Sequence, residues 1–471
     1  MIGLYVKDMD KYEKLKILAD SAKYDVSCST SGVARRNNSL IGNAAAAGIC
    51  HTWSADGRCV SLLKVLYSNA CSYDCEFCIN KKTADQPKAT FEPRELAELT
   101  IEFYKRNYIE GLFVSSAVLG SPDNTTERII QCLKILRDEM GFAGYIHAKL
   151  IPGTSQELIH LTGLYADRVS CNMELPTAES LRLLTPDKKP QDIFSPMRQI
   201  TNSLIERHKL VGPGNMFKGV DINSPEHYVT GEKWIGKMDR DFLGGPGSIE
   251  VQGRRNKEVF APAGQTTQMI VGAAGESDRQ ILALSENLYH TFKMKRVYFS
   301  AYVPVVESKI LPDRKPPLAR EHRLYQADWL LRFYGFKADE LFTDKEQNLD
   351  MNLDPKITWA LRHIDKFPIE INRASMADLL RIPGIGNTSA LRIVRQRKLC
   401  SVKYDDLKRM GVVLKRAKYF ITCQGKFYGD SSLEPLKIKD HILETEKGIQ
   451  LSLFGEGMAA LEGGEKLGLP V

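Results

Sequence analysis

Three cysteines, Cys71, Cys75 and Cys78, stand in the spacing C-x3-C-x2-C directly after the apolar run Cys59 to Tyr67. Thiolates at that density suit a soft metal centre, and a cluster of four irons held by three cysteines keeps one iron open to an outside ligand. A structural zinc ion would need a fourth Cys or His to close its tetrahedron. Downstream the next candidates are Cys132 and His147, while His51 and Cys59 lie upstream, so a zinc knuckle remains the alternative. The other cysteines, Cys28, Cys50, Cys132, Cys171, Cys400 and Cys423, form no second C-x2-C pattern and are read as structural.

The loop must be held by something, and the chain around it alternates short β-type runs with helical ones. Strands are expected at Cys59 to Tyr67, Gly111 to Val118, Gly144 to Ile151, Arg168 to Leu175, Thr266 to Ala273 and Arg296 to Pro304. Helices are expected at Pro93 to Tyr108, Thr125 to Met140, Ser155 to Tyr165, around Ala178 to Lys209, at Ser277 to Phe292 and at Glu321 to Tyr334. Repeated β-α units of this kind build a parallel sheet. Chemistry in parallel barrels gathers at the C-terminal ends of the strands, which is where the cysteine loop falls. Period two puts His147 with Lys149 on one face of the third strand, and Ser170, Asn172 and Glu174 on one face of the fourth. Polar groups inside strands are costly unless paired or turned to a wet cavity, so a lumenal placement is expected for them.

The cysteine spacing, with Phe77 before the last cysteine, resembles the cluster loop of the radical S-adenosylmethionine enzymes, and six β-α units match their partial barrel. The resemblance implies a 4Fe-4S cluster on Cys71, Cys75 and Cys78, S-adenosylmethionine on the open iron, an electron donor, and a 5′-deoxyadenosyl radical that abstracts hydrogen from a substrate. It makes Phe77, Ser115, Ser116, Lys149, Ser170, Asn172, Ile270 and Gly272 candidates for holding the methionyl and adenosyl parts. Ser115 and Ser116 stand where a Gly-rich stretch is usual, which is a departure. Ile270 and Gly272 lie in an apolar, Gly-containing run of the kind on which adenine packs.

The net charge of +7 over 471 residues is concentrated in one region. Between Lys366 and Asp430 there are fourteen Lys and Arg against five Asp and Glu, a local +9, so the remainder sums to 7 − 9 = −2. Such a patch is the footprint of phosphate binding. In it, Pro383-Gly384-Ile385-Gly386 separates expected helices Met376 to Arg381 and Ser389 to Arg397, and resembles the helix-hairpin-helix module of DNA-repair proteins. A second pair is expected at Tyr404 to Arg409 and Leu414 to Ile421, without the glycine hairpin. Glycine turns and amides at a helix start hold a phosphate without reading sequence. Pro383, Gly384, Ile385, Gly386, Arg392 and Arg395 are the DNA-binding candidates, with Arg397 and Lys398 adding counterion-releasing charge. The acidic tail carries Gln450-Leu451-Ser-Leu453-Phe454, which resembles the bacterial sliding-clamp peptide: Leu453 and Phe454 would anchor in an apolar pocket, with Gln450 setting register.

The domain order expected is an N-terminal extension (1–58), an α/β partial (β/α)6 TIM-like barrel (59–345), an all-α helix-hairpin-helix domain (346–430) and a flexible tail (431–471). The Gly- and Pro-rich stretch from Leu210 to Gly264 is too long for a plain connector and reads as a lid or excursion. Ten cysteines without a leader pattern suit reduced thiols in the cytoplasm, and no run is apolar enough for a membrane span. Together these features resemble the bacterial DNA modification or repair radical S-adenosylmethionine proteins. That resemblance implies a uracil-DNA-glycosylase-like partner, DNA as substrate and the sliding clamp as partner. The competing expectations are a tRNA-modifying radical enzyme and a non-catalytic iron-sulfur adapter for the glycosylase-like partner.

Overall fold

The computed structural model describes residues 9–22, 49–53, 59–210, 260–429 and 433–445. The stretch 211–259, with most of the expected lid, and the tail peptide Gln450 to Phe454 lie outside the described residues. Two compact units divide the chain, Met1–Glu321 and His322–Val471. The division falls upstream of the boundary expected at residue 345.

The first unit opens with α1 (Lys11–Ser21), capped by Asp10 and salt-bridged through Lys11 to Glu102 and Lys14 to Glu95. Its sheet has seven strands: β1 (Ile49–Trp53), β2 (Cys59–Leu66), β3 (Gly111–Ser115), β4 (Tyr145–Lys149), β5 (Arg168–Ser170), β6 (Gln265–Val271) and β7 (Arg296–Ala301). Their spatial order is their chain order, with β2 to β7 parallel and β1 antiparallel to β2. Six parallel strands with helical crossovers are the partial barrel the β-α alternation predicts. β1 is an addition to that pattern; its five residues carry His51 and Thr52 and have no strong strand signal.

Crossovers are α2 (Pro93–Lys105), α3 (Pro122–Lys134), α4 (Gln156–Tyr165), α5 (Ala178–Leu184), α6 (Pro190–Leu210) and α7 (Asp278–Phe292). The single helical region expected at Ala178 to Lys209 is two helices, because Pro186 and Pro190 break it. α3 passes into one π-helical turn at Ile135–Glu139. Helix starts follow local chemistry: Ser121 accepts from the Asn124 amide ahead of Pro122, and Ser277 with Gln280 forms a capping box.

Period two separates two faces of the sheet. Leu63, Val65, Leu112, Val114, Ile146, Ala148, Val169, Met269, Val271, Val297 and Phe299 are all at most 1% exposed on one face, where Gln265 and Thr267 are buried among them. Burying each of the larger apolar side chains is worth about 1.5–3 kcal/mol. The opposite, concave face is mixed: it carries Lys64, Ser115, His147, Lys149, Arg168, Ser170 and Gln268 together with the apolar Leu62, Leu66 and Phe113.

The second unit takes up most of α8 (Leu318–Tyr334), then α9 (Pro355–Arg362), α10 (Met376–Arg381), α11 (Asn387–Gln396), α12 (Tyr404–Arg409) and α13 (Leu414–Ala417). It also holds a small sheet of β8 (Ile369–Glu370), β9 (Ile421–Cys423) and β10 (Lys426–Phe427), which an all-α reading omits. The last expected helix, Leu414 to Ile421, stops at Ala417, and Ile421 instead pairs with Ile369.

Gly111 starts β3 where a Cβ would collide with the Tyr145 carbonyl of β4 and with Leu62. Gly111→Ala is expected to destabilise the protein by about 1–3 kcal/mol, an overpacking penalty read from the midpoint of urea unfolding.

Candidate functional site

The cysteine loop leaves β2 and is fastened on two sides. The Ser72 amide donates to the Val118 carbonyl (2.8 Å) and the Gly120 amide to the Ser72 hydroxyl (3.0 Å), tying the loop to the end of β3. On the other side the Glu76 amide donates to the Leu184 carbonyl (2.9 Å) and the Asp74 amide to the Asp187 carboxylate (2.8 Å), at the turn after α5. Two of the three sulfurs already accept backbone hydrogen bonds, Cys71 from the Tyr73 amide and Cys78 from the Asn80 amide, both 3.4 Å. Amides aimed at sulfur favour a thiolate and are a recognised influence on clusters.

Beside the loop sits an ion pair that the sequence pattern does not reveal. Lys188 Nζ lies 2.8 Å from Glu174 Oε1, with the two side chains only 11% and 12% exposed. Asn172 donates to the other Glu174 oxygen at 3.3 Å. Glu174 is held in a left-handed backbone (φ 62°) and bridges to Met269 beyond the end of β5. Its amide donates to the Gln268 carbonyl, and its own carbonyl accepts from Ile270 at 2.7 Å. Burial pushes the Cys75 thiol up to about 12, and nearby Cys78, Glu174 and Cys71 push the same way while Lys188 opposes them. Cys78 is raised too, by burial, against the Asn80 amide bond. Burial works against the Lys188 charge, but Glu174, with Cys75 and Cys78 behind it, overrides this and holds the ammonium above its usual range. Lys188 lies outside any strand, between two helices, and only the tertiary fold brings it to the thiols.

Among the described residues, no three His, Cys, Asp or Glu side chains gather around a point that one metal ion could occupy. Three thiols on one loop, two of them already accepting amides and with a fixed cation alongside, are a donor set compatible with a polynuclear iron-sulfur group.

The other sequence candidates are distributed around this mouth. Phe77 is half-buried in the loop itself, and Ser115 is buried at the end of β3, level with Lys149 and Ser170. The Ser116 hydroxyl donates to the Ala117 carbonyl at 2.7 Å and so is already engaged. The Ser170 hydroxyl is 2.9 Å from His147 Nε2. Ile270 is level with Ser300. Gly272 has φ 85°, and a Cβ there would press on Pro316; its amide is taken by Glu276, whose other oxygen accepts from Ala274 at 3.0 Å. Its glycine is required by the packing of the turn.

In the second unit α10 begins with a Ser375–Asp378 capping box, and the turn Ile382 to Gly386 leads into α11. Gly384 has φ 85°, and a Cβ there would lie 2.6 Å from the Val413 carbonyl; the Val413 amide donates back to Gly384 at 2.9 Å. The two helix pairs are thus locked turn to turn. The second pair lacks the two-glycine hairpin, but the single glycine of its Gly411-Val-Val-Leu turn is in the left-handed region, at φ 86°. A Cβ on Gly386 would meet the Tyr334 hydroxyl at 3.1 Å. Pro383 and Ile385 are buried, so their side chains serve the turn. Arg397 donates to the carbonyls of Ile371 and Ala374, a structural role, whereas Arg395 and Lys398 are exposed; Arg392 is exposed as well and donates to the Met410 carbonyl.

The residues define a partial α/β barrel with three thiols on a loop at its mouth, joined in sequence to a second unit in which two short helix pairs meet at glycine turns. No family model and no curated protein matches the chain. Solved structures that resemble it include the FeFe-hydrogenase maturase HydG from Carboxydothermus hydrogenoformans, at 10% identity over 58% of this chain and 51% of that one, with TM-score 0.36. A second HydG structure matches at 11% identity over 57% and 49%, with TM-score 0.35. The chain therefore spans about half the length of each. The partial barrel is defined by the strand order and register of this chain itself.

Behind the first glycine turn, Lys356 is 8% exposed; its Nζ donates to the Ile385 carbonyl at 2.6 Å and lies 4.6 Å from the Tyr334 ring centre. Burial brings its pKa down to about 7, with Asp354 acting to raise it and Arg381 to lower it; Asp354 is itself paired with Arg416. Below about pH 7 Lys356 is charged both folded and unfolded, and the burial cost is fully present. Between 7 and the ordinary 10.5 the folded unit releases the proton while the unfolded chain keeps it, so stability rises across that window. Protection of the Ile382 to Gly386 amides, corrected for intrinsic exchange, is expected to increase from neutral to alkaline pH in wild type and to stay flat in Lys356→Met.

Proposed function

We propose that this chain is a radical S-adenosylmethionine iron-sulfur enzyme that acts on DNA or its bases in repair or modification. The observation that carries the reading is the three-thiol loop at the C-terminal end of a barrel strand, with two sulfurs accepting amides and the Lys188–Glu174 pair alongside. Cys71, Cys75 and Cys78 would hold the cluster. Bound there with S-adenosylmethionine, the cluster would supply one-electron reductive cleavage of the sulfonium. The chain's own part is positional. Fastenings to β3 and to the turn after α5 fix the loop, Lys188 sets a positive charge at the mouth, and Asn172 with Glu174 offers polar groups to an amino or hydroxyl ligand. The enclosing strands exclude water from reactive intermediates.

The DNA part is supported by the local +9 and the two locked glycine turns. A stacked base cannot reach a barrel mouth, so extrusion or a single-stranded substrate follows. The Gln450 to Phe454 peptide would bring the enzyme to the sliding clamp, and a uracil-DNA-glycosylase-like protein and an electron donor are the other partners proposed.

Anaerobic reconstitution with iron and sulfide is expected to give iron-sulfur absorption, lost when any of the three cysteines is changed to Ala, and reduction with S-adenosylmethionine should release 5′-deoxyadenosine. Zinc uptake without iron-sulfur absorption would remove the reading, and a loaded cluster that never releases 5′-deoxyadenosine would favour an adapter. Arg395→Ala with Lys398→Ala should flatten the salt dependence of duplex binding by about 0.9 in log–log slope for each phosphate the variant no longer neutralises. Preference for transfer RNA over DNA in the same titration would move the substrate class to RNA.

A further inference from the structure

Cationic side chains collect on the strand face below the cysteine loop. Strand register places Lys64, Phe113, His147 and Arg168 side by side on one level of β2 to β5. Lys149 stands one level above, and Arg296 is on the same face of β7. No Asp or Glu occurs at the alternate positions that share this face within β2 to β7. That the face is concave follows from Arg168, whose side chain bonds to Tyr298 of β7 past the intervening β6.

Two of these cations carry polar atoms left without a partner among the described residues. Lys64 is 3% exposed and its Nζ meets no hydrogen-bond partner there, and Arg168 Nε is buried without one although the guanidinium bonds to Tyr298. Leaving a cation unpaired in a protein interior costs several kcal/mol, so such groups are retained where a counter-charge arrives. Lys64 is the one charged residue of a strand that is apolar apart from Ser61, and Leu or Val would pack there without that cost.

We infer that the barrel lumen is an oxyanion site, with Lys64 and Arg168 as its principal donors, and that the substrate brings a phosphate group into the barrel. A phosphate matches the arrangement because several oxygens can each meet a donor, with Arg presenting a planar fork and Lys a point charge. The inference stands on the barrel strands alone and requires neither the cluster nor the second unit. It narrows the substrate: a phosphate at this depth belongs to a free nucleotide or a strand terminus, since the middle of a duplex backbone cannot follow it in.

Calorimetric titration of the full-length, unreduced protein with inorganic phosphate and with a nucleoside 5′-monophosphate is the test. Saturable binding is expected, weakened about tenfold or more in Lys64→Met and in Arg168→Gln. Lys64→Met should unfold at the same or a higher temperature, because an apolar side chain replaces an unpaired buried cation. The Arg395→Ala/Lys398→Ala protein should keep this binding while its duplex affinity falls. Equal binding by wild type and Lys64→Met, absence of binding by either probe, or loss only in the Arg395/Lys398 variant would overturn the inference. Stronger binding of an oligonucleotide with a 5′-terminal phosphate than of one without it would support the strand end as source, and preference for the mononucleotide would support a free nucleotide. Because no turnover is measured, failure of cluster loading leaves the result readable.

Discussion

The Lys188–Glu174 ion pair is the interaction on which the barrel mouth depends. Glu174 is placed by a left-handed backbone residue that joins the continuation of β5 to β6, and its carboxylate reaches the turn between α5 and α6. That same turn holds the cysteine loop through Asp187 and Leu184. One buried charge pair therefore links the fourth and fifth parallel strands to a loop that leaves the first. Its partners compensate each other in a place where either alone would be strongly destabilising. It also sets a positive charge beside thiols that burial raises, and that charge opposes the rise without reversing it.

The second unit uses related means for a different task. Its glycine turns are shaped by protein atoms, Val413 against Gly384 and Tyr334 against Gly386, and Lys356 fixes the Ile385 carbonyl from behind. Basic side chains that stand together in the linear chain divide once folded. Arg397 ties down carbonyls, whereas Arg395 and Lys398 remain at the surface. One basic segment thus contains both charge left at the surface and charge that builds the turns.

Much of the architecture was legible because alternation with period two and capping chemistry are local. All six parallel strands and the start of α7 at Ser277 could be located from neighbours within a few residues. What was not legible depended on remote partners. β1 exists because β2 offers it an edge, and Ile421 extends because Ile369 pairs with it. Leu414 to Ile421 has residues suited to either state, and the tertiary partner decides.

By itself the sequence determined the three thiols and their spacing, the β-α alternation that puts them at a strand end, and the concentration of charge between Lys366 and Asp430. These are properties of order and spacing along the chain. Tertiary structure alone decided that Lys188 and Glu174 meet beside the cysteines, that Lys64 and Arg168 share one level of a strand face without carboxylates, and that Lys356 lies under a glycine turn. Each of those depends on a charge being buried, and whether a charge is buried or paired is set by residues far away in the chain.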